Sequence, residues 1–235
     1  MDTSDFTQQV SGVAALAEPV RRDLYLYVSR QDAPVSRDQA SEGVGVARHT
    51  AKFHLDKLVE EGLLDTDFKR LAGRRGPGAG RPTKLYRRSA RQLSVTLPER
   101  RYDLAGRLMA QAIEDSDRDG TPVVDALHAA AAELGSALGT GARERAGREP
   151  DPEQLVQATC AGLAHLGYEP HRQDATITLA NCPFDALARE HTALVCGMNL
   201  ALLDAAAGQL GGSLSARLDP APGRCCVMLD AAELA

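Results

Sequence analysis

Residues 46–64 read VARHTAKFHLDKLVEEGLL, and residues 69–91 read KRLAGRRGPGAGRPTKLYRRSAR. In the first stretch Ala51, Leu55, Leu58 and Val59 recur at steps of three and four, the spacing of one apolar helix face, which leaves Arg48, His49, Thr50, Lys52 and Phe53 pointing outward. The second stretch holds nine basic side chains and no acidic one. Its centre, GRRGPGAGRP, is too rich in Gly and Pro for anything but a loop, and the flanking segments, 64–71 and 83–88, have the composition of strands. A helix is therefore followed by a cationic hairpin.

Working upstream, residues 16–30, LAEPVRRDLYLYVSR, place Val20, Leu24, Tyr27 and Val28 on helical spacing behind a Pro suited to a first turn. Ser36 and Gln39 have the spacing of a capping box that opens a short helix, SRDQASEG, which Gly43 and Gly45 stop. Three helices and a hairpin thus stand in the order of a winged helix-turn-helix. Taken alone, 46–64 is also an ordinary amphipathic helix with a solvated polar face. In this context the long donors Arg48 and Lys52, with His49, Thr50 and Phe53, lie near the start of a recognition helix, where major-groove readout needs them. Glu60 and Glu61 would be repelled by phosphate, so the N-terminal turns are expected to approach DNA. In the hairpin, Arg74, Arg75, Lys84 and Arg87 are phosphate-neutralising candidates. Arg81, held extended by Pro82 and approached closely through Gly78 and Gly80, suits a narrow minor groove. The bland alternative for this tip is a solvated loop.

HTAKFHLDKLVEEGLL followed by GRPTKLYRRS resembles the winged-helix domain of ArsR/DeoR-like bacterial transcriptional regulators, over about residues 14–90. The resemblance implies sequence-specific binding of double-stranded DNA and leaves the regulated gene open.

Charge separates the two halves of the chain. Residues 1–101 carry 18 basic and 13 acidic side chains, net +5, whereas 102–235 carry 9 and 19, net −10. A basic half is the natural nucleic-acid half. The length of 235 residues favours two domains. We read 1–91 as the DNA-binding domain, 92–120 as a linker helix and 121–235 as a sensor and dimerisation domain, an α+β architecture overall. No basic, apolar leader opens the chain and no apolar run reaches the length of a membrane span, so a cytoplasmic protein is expected.

Beyond residue 91, 98–113 reads as a linking helix. Val123, Leu127, Ala130, Leu134 and Leu138 stripe a second, Ala-rich one, which either pairs two chains into a homodimer on a palindromic site or packs within its own chain. From residue 152 the pattern is a helix over 155–166, a hairpin of YEPHR and ATITLAN, a Cys-Pro corner, a buried helix LVCGMNLALLDAAAGQL, and closing strands SLSARLD and CCVMLDA. All five cysteines fall in this half. Cys182, Cys196 and the pair Cys225/Cys226 sit at three corners of it, with thirteen residues between the first two and twenty-eight between Cys196 and Cys225. Three thiolates with one open position suit an iron–sulfur cluster or zinc. Any one cysteine is also simply a small core hydrophobe, which is the reading for Cys160. Ordinary zinc pairs of the Cys-x-x-Cys kind are absent from the sequence.

The segment NCPFDALAREHTALVCGMNLALLDAAAG with DPAPGRCCVML resembles the C-terminal sensor domain of SufR-type regulators. By that resemblance Cys182, Cys196 and one of Cys225 or Cys226 are the cysteines of an iron–sulfur cluster. Glu190, His191 or solvent are the candidates for a fourth ligand, and His191 is equally a surface residue. The expected function is a dimeric repressor whose C-terminal domain senses a cluster or another effector. Two alternatives stand beside it. In one, the C-terminal domain offers an apolar small-molecule pocket and its cysteines are merely buried. In the other, Cys182 or the Cys225/Cys226 pair is the nucleophile of a thiol enzyme with His171 or His191 as base. No phosphate-cradling glycine loop, nucleophile elbow or HExxH pattern supports catalysis, so no enzymatic activity is expected.

Overall fold

The computed structural model describes residues 3–69 and 82–231, in two compact units that divide between Val95 and Thr96. The first unit begins with α1 (Thr3–Ala15), which we had not anticipated from the sequence, and continues with α2 (Pro19–Ser29), strand β1 (Val35–Ser36), α3 (Arg37–Val44), α4 (Arg48–Glu60), β2 (Leu64–Lys69) and β3 (Thr83–Arg88). Helix α2 starts at its proline, with the Glu18 carboxylate accepting from the Val20 and Arg21 amides. The capping box of α3 is formed in both directions, Gln39 N to Ser36 Oγ at 3.3 Å and Ser36 N to Gln39 Oε1 at 2.8 Å.

Only one of the two glycines expected to stop α3 does so. Gly45 is the cap, in the left-handed region at φ 74°, whereas Gly43 remains helical and leaves room for the Tyr27 ring where a Cβ would stand. The next helix, α4, buries Ala51, Leu55 and Leu58 completely, as their spacing predicts, against Leu24 and Val28 of α2 and Ala40 of α3. Strand β3 lies between β1 and β2, both antiparallel to it. The register pairs Leu64 with Arg88 and Lys69 with Thr83. The hairpin tip, residues 70–81, with Arg74, Arg75 and Arg81, lies outside the described residues.

Helix α1 is tied back to this frame. Ser11 Oγ donates to Glu61 Oε2 at 2.7 Å and Ser94 N to Gln9 Oε1 at 3.0 Å, and Leu93 packs against Gly12.

The second unit contains α5 (Tyr102–Asp119), α6 (Val123–Ala146), α7 (Pro152–His165), β4 (Pro170–Gln173), β5 (Thr176–Leu179), α8 (Asp185–Glu190), α9 (Thr192–Gly208), β6 (Leu214–Leu218) and β7 (Val227–Ala231). Its sheet is antiparallel in the order β4-β5-β7-β6. The stretch read as a linker is shared between the units. Residues up to Val95 go with the first. Helix α5, which starts at Tyr102 instead of near Pro98, contributes Leu104, Ala105, Leu108 and Ala112 to the core of the second.

The stripe on α6 is also spent mainly inside its own chain: Leu127 and Ala130 are buried, and Leu134 and Leu138 pack on the same core. The reason is a close crossing with α9. A Cβ on Gly135 would overlap the Leu202 carbonyl, and one on Gly139 would overlap the Ala206 carbonyl. Only Val123 of the stripe is exposed. Helix α9 itself is buried along most of its length, with Val195, Cys196, Met198, Leu202 and Leu203 among its covered residues.

Candidate nucleic-acid interface and thiol centre

The outward face of α4 is built from its apolar face. With Ala51, Leu55 and Leu58 fixed inward, Arg48, His49, Lys52 and Phe53 are exposed and Thr50 is half-buried. Phe53 is 64% exposed on this face, open to contact by a partner. Residue 47, before the helix, is Ala, and no side chain caps the first turn. The amide groups of that turn and the positive end of the helix dipole are thereby available to an anion.

The described cations expected to meet DNA each have a carboxylate partner within the protein. Arg48 Nε lies 2.5 Å from Asp38 Oδ1. Lys52 and Lys84 converge on Asp56 at 3.0 and 2.6 Å, and Arg87 lies 3.2 Å from Asp65 and 3.3 Å from Asp67. Asp56 also accepts from the Tyr86 hydroxyl at 3.0 Å. Burial alone would raise its pKa, but hydrogen bonds from Lys84, Lys52 and Tyr86 hold it below the usual carboxylate value. Burial, reinforced by the same carboxylate, pushes the Tyr86 hydroxyl up, so that group stays a neutral donor. Such exposed pairs are each worth roughly 0–1 kcal/mol, so exchange for a phosphate is cheap. At the far end of α4, Glu61 is held by Ser11 and Lys57 and faces α1.

In the second unit the structure brings Cys182, Cys196, Cys225 and Cys226 together. Cys182 precedes α8, Cys196 lies in the second turn of α9, and Cys225 and Cys226 lie just before β7, not within the strand as the sequence suggested. The pairing register with β6 begins at Val227, and just before it the Cys225 amide bonds Leu179 O at 2.8 Å while Cys226 O accepts from Asp219 N at 2.7 Å. The thiols interact in the order Cys182, Cys225, Cys226, Cys196. Donation to Cys225, reinforced by burial, drives the Cys182 thiol well above its usual pKa. Cys225 is lowered by the bond from Cys182, but its own donation to Cys226 and its burial prevail and push it up to about 11. Burial also raises Cys196, against the bond from Cys226. Cys182, Cys196 and Cys225 are therefore all held above the ordinary thiol pKa. Among the described residues no three His, Cys, Asp or Glu side chains already converge as a metal-ligand set.

Two buried residues behind the thiols escaped the sequence reading. Asn199 Nδ2 donates to Cys225 Sγ at 3.1 Å, and Asn199 Oδ1 accepts from the Tyr168 hydroxyl. The available signal was Asn199 itself, a polar residue in an apolar run three positions after Cys196, hence on the same side of the helix. Cys182, Cys196 and Cys226 line one cavity of about 550 Å³. Glu190 and His191 are exposed and do not line it. Cys160 sits apart, half-buried in α7 against the core. The cavity is not the apolar pocket considered from the sequence, since Arg100, Asn181, Asp185, Arg189 and Arg224 form part of its wall.

Among the described residues no helix is long and apolar enough to cross a membrane. No curated protein matches the chain. The family model of a helix-turn-helix domain matches residues 16–67, from the approach to α2 into β2, and the first unit therefore carries a helix-turn-helix of the kind that binds DNA.

Proposed function

We propose that this chain is a sequence-specific transcriptional repressor that binds palindromic duplex DNA as a homodimer, with a thiolate-ligated centre in the second unit setting its DNA affinity. The helix-turn-helix match supports the DNA half of this reading. The observation that carries the sensing half is the gathering of three thiols, Cys182, Cys196 and Cys226, from three separate segments in the wall of one cavity, with Cys225 buried beside them. Soft donors of this kind suit an iron–sulfur cluster, or zinc in its place. Cys182, Cys196 and one of Cys225 or Cys226 would hold it, and the amide of Asn199 would tune the Cys225 sulfur as an outer-layer donor. When bound, such a centre supplies a ligand set whose state changes with iron, oxygen or nitric oxide. Glu190 and His191 are exposed and do not line the cavity, so neither is assigned as a further ligand. A ligand alters DNA affinity only through its different affinity for the two geometries of the dimer.

The test is anaerobic purification with an ultraviolet-visible spectrum, iron, sulfide and zinc analysis, and operator binding before and after removal of the metal. Loss of metal in Cys182→Ser and Cys196→Ser, with retention in Cys160→Ser, is expected; the pair Cys225/Cys226 requires the double substitution. Metal-free protein from anaerobic cells that binds operator as the native protein does would rule out the sensor centre.

A further inference from the structure

The wall of the cavity above the thiols is opposite in sign to the half-chain that contains most of it. Residues 102–235 carry 9 basic and 19 acidic side chains, net −10, yet among the described residues the cavity lining holds three guanidinium groups, Arg100, Arg189 and Arg224, against one carboxylate, Asp185. Two of the three are fixed in place. The Arg100 side chain is 18% exposed and bonds Asn181 Oδ1 and, at 3.2 Å, Cys182 O. The Arg224 side chain is 20% exposed and bonds Asp219 Oδ2 at 2.7 Å. Arg189 is exposed and shares Asp185 with Arg100. A guanidinium cannot shed its charge and has five N–H donors, more than these bonds use. Thr192, the first residue of α9, also lines the cavity, and the first turn of that helix carries no acidic side chain, so its dipole adds to the same potential.

Partly covered, oriented guanidiniums in a concave site are the arrangement that recognises carboxylate and phosphate oxygens, and low local dielectric strengthens their pull. At about 550 Å³ the cavity is in the size range of organic ligands and far larger than a single inorganic anion needs. Asp185 and the Asp219 partner of Arg224 offset two of the three guanidinium charges, so the wall stays net cationic and its complementary ligand is an anion.

We propose that this cavity binds a small organic anion, a carboxylate or a phosphate ester, clasped by Arg100, Arg189 and Arg224. The site stands independently of whether the thiols beneath it hold metal.

The experiment is calorimetric titration of the full chain with citrate, glucose 6-phosphate and inorganic phosphate at low ionic strength, on protein as purified and on metal-depleted protein. At least one organic anion is expected to bind about tenfold or more tighter than inorganic phosphate, and which one binds separates carboxylate from phosphate-ester chemistry. Arg189→Gln/Arg224→Gln should weaken that binding by about tenfold or more, while Arg107→Gln, a change of an exposed arginine outside the cavity, should not. A thermal melt of each variant confirms folding, and metal analysis of the same samples separates failure of the thiol centre from failure of this site. Absence of binding by all three probes up to about 10 mM, the affinity range where recognition ceases to be specific, would overturn the proposal. So would equal affinity for organic and inorganic anions, or equal affinity of the folded double variant.

Discussion

Arg48 reaches a base with Asp38 already on one edge of its guanidinium, and Lys52 and Lys84 reach phosphate with the Asp56 carboxylate beside them. On the proposed reading these carboxylates hold down affinity for arbitrary DNA while placing the cations where they are needed. Asp38→Asn should therefore raise affinity for operator and non-operator DNA alike by about two- to fivefold and steepen the salt dependence by roughly one counterion. Fluorescence anisotropy across a salt series measures both, and unchanged slopes would remove Asp38 from this role. Arg48→Ala and Arg81→Ala should differ in kind. The first should relax preference for particular major-groove bases at a cost of about 1–3 kcal/mol; the second should weaken binding most at A/T-rich sites. A binding-selection assay that found the same uniform loss for both would contradict the division of labour. Much of this face was legible in the sequence, because the three- and four-residue spacing of Ala51, Leu55 and Leu58 determines which neighbours must face outward. The carboxylate partners were not legible. Asp38 sits on a different helix from Arg48, and Asp56 meets Lys84 from 28 positions away, distances that only the fold closes.

Among the elements, α6 and α9 carry the tightest steric condition. Their backbones approach so closely at Gly135 and Gly139 that neither position has room for a methyl group. Gly135→Ala should destabilise the second unit by about 3 kcal/mol, the upper end for overpacking, since the obstacle is the Leu202 carbonyl and not a flexible side chain. Gly106→Ala, on a helix position with open space around it, should be neutral or stabilising by up to about 1 kcal/mol. Denaturant unfolding of the two variants compares them directly, and similar midpoints would mean that the crossing relaxes. The apolar stripe of α6 was readable, but its destination was not, because a stripe has the same period whether it meets a second chain or its own. The glycines were the missing clue. Helix α1 went unread for another reason: Val10 and Val13 remain exposed, so it lacks the amphipathic pattern by which helices are recognised. Strand β1 spans two residues, too few for any periodicity.

For the whole molecule, the proposed function requires two DNA-binding units on one palindrome. A chain ending at Val95 should bind an operator at least about a hundredfold more weakly than the full chain, since linking two sites converts the second contact into an intramolecular one. Gel-shift titration of both forms tests this, and equal affinities would count against dimerisation through the second unit. The gathering of cysteines has a further consequence, in the currency of chain entropy. A centre held by Cys182, Cys196 and Cys225 would close loops of thirteen and twenty-eight intervening residues, which enclose α8, α9 and β6. Closing such loops removes freedom mainly from the unfolded chain. The centre would therefore act as a cross-link on this segment, and its loss should lower hydrogen-exchange protection across α8, α9 and β6 together while leaving α2 and α4 untouched.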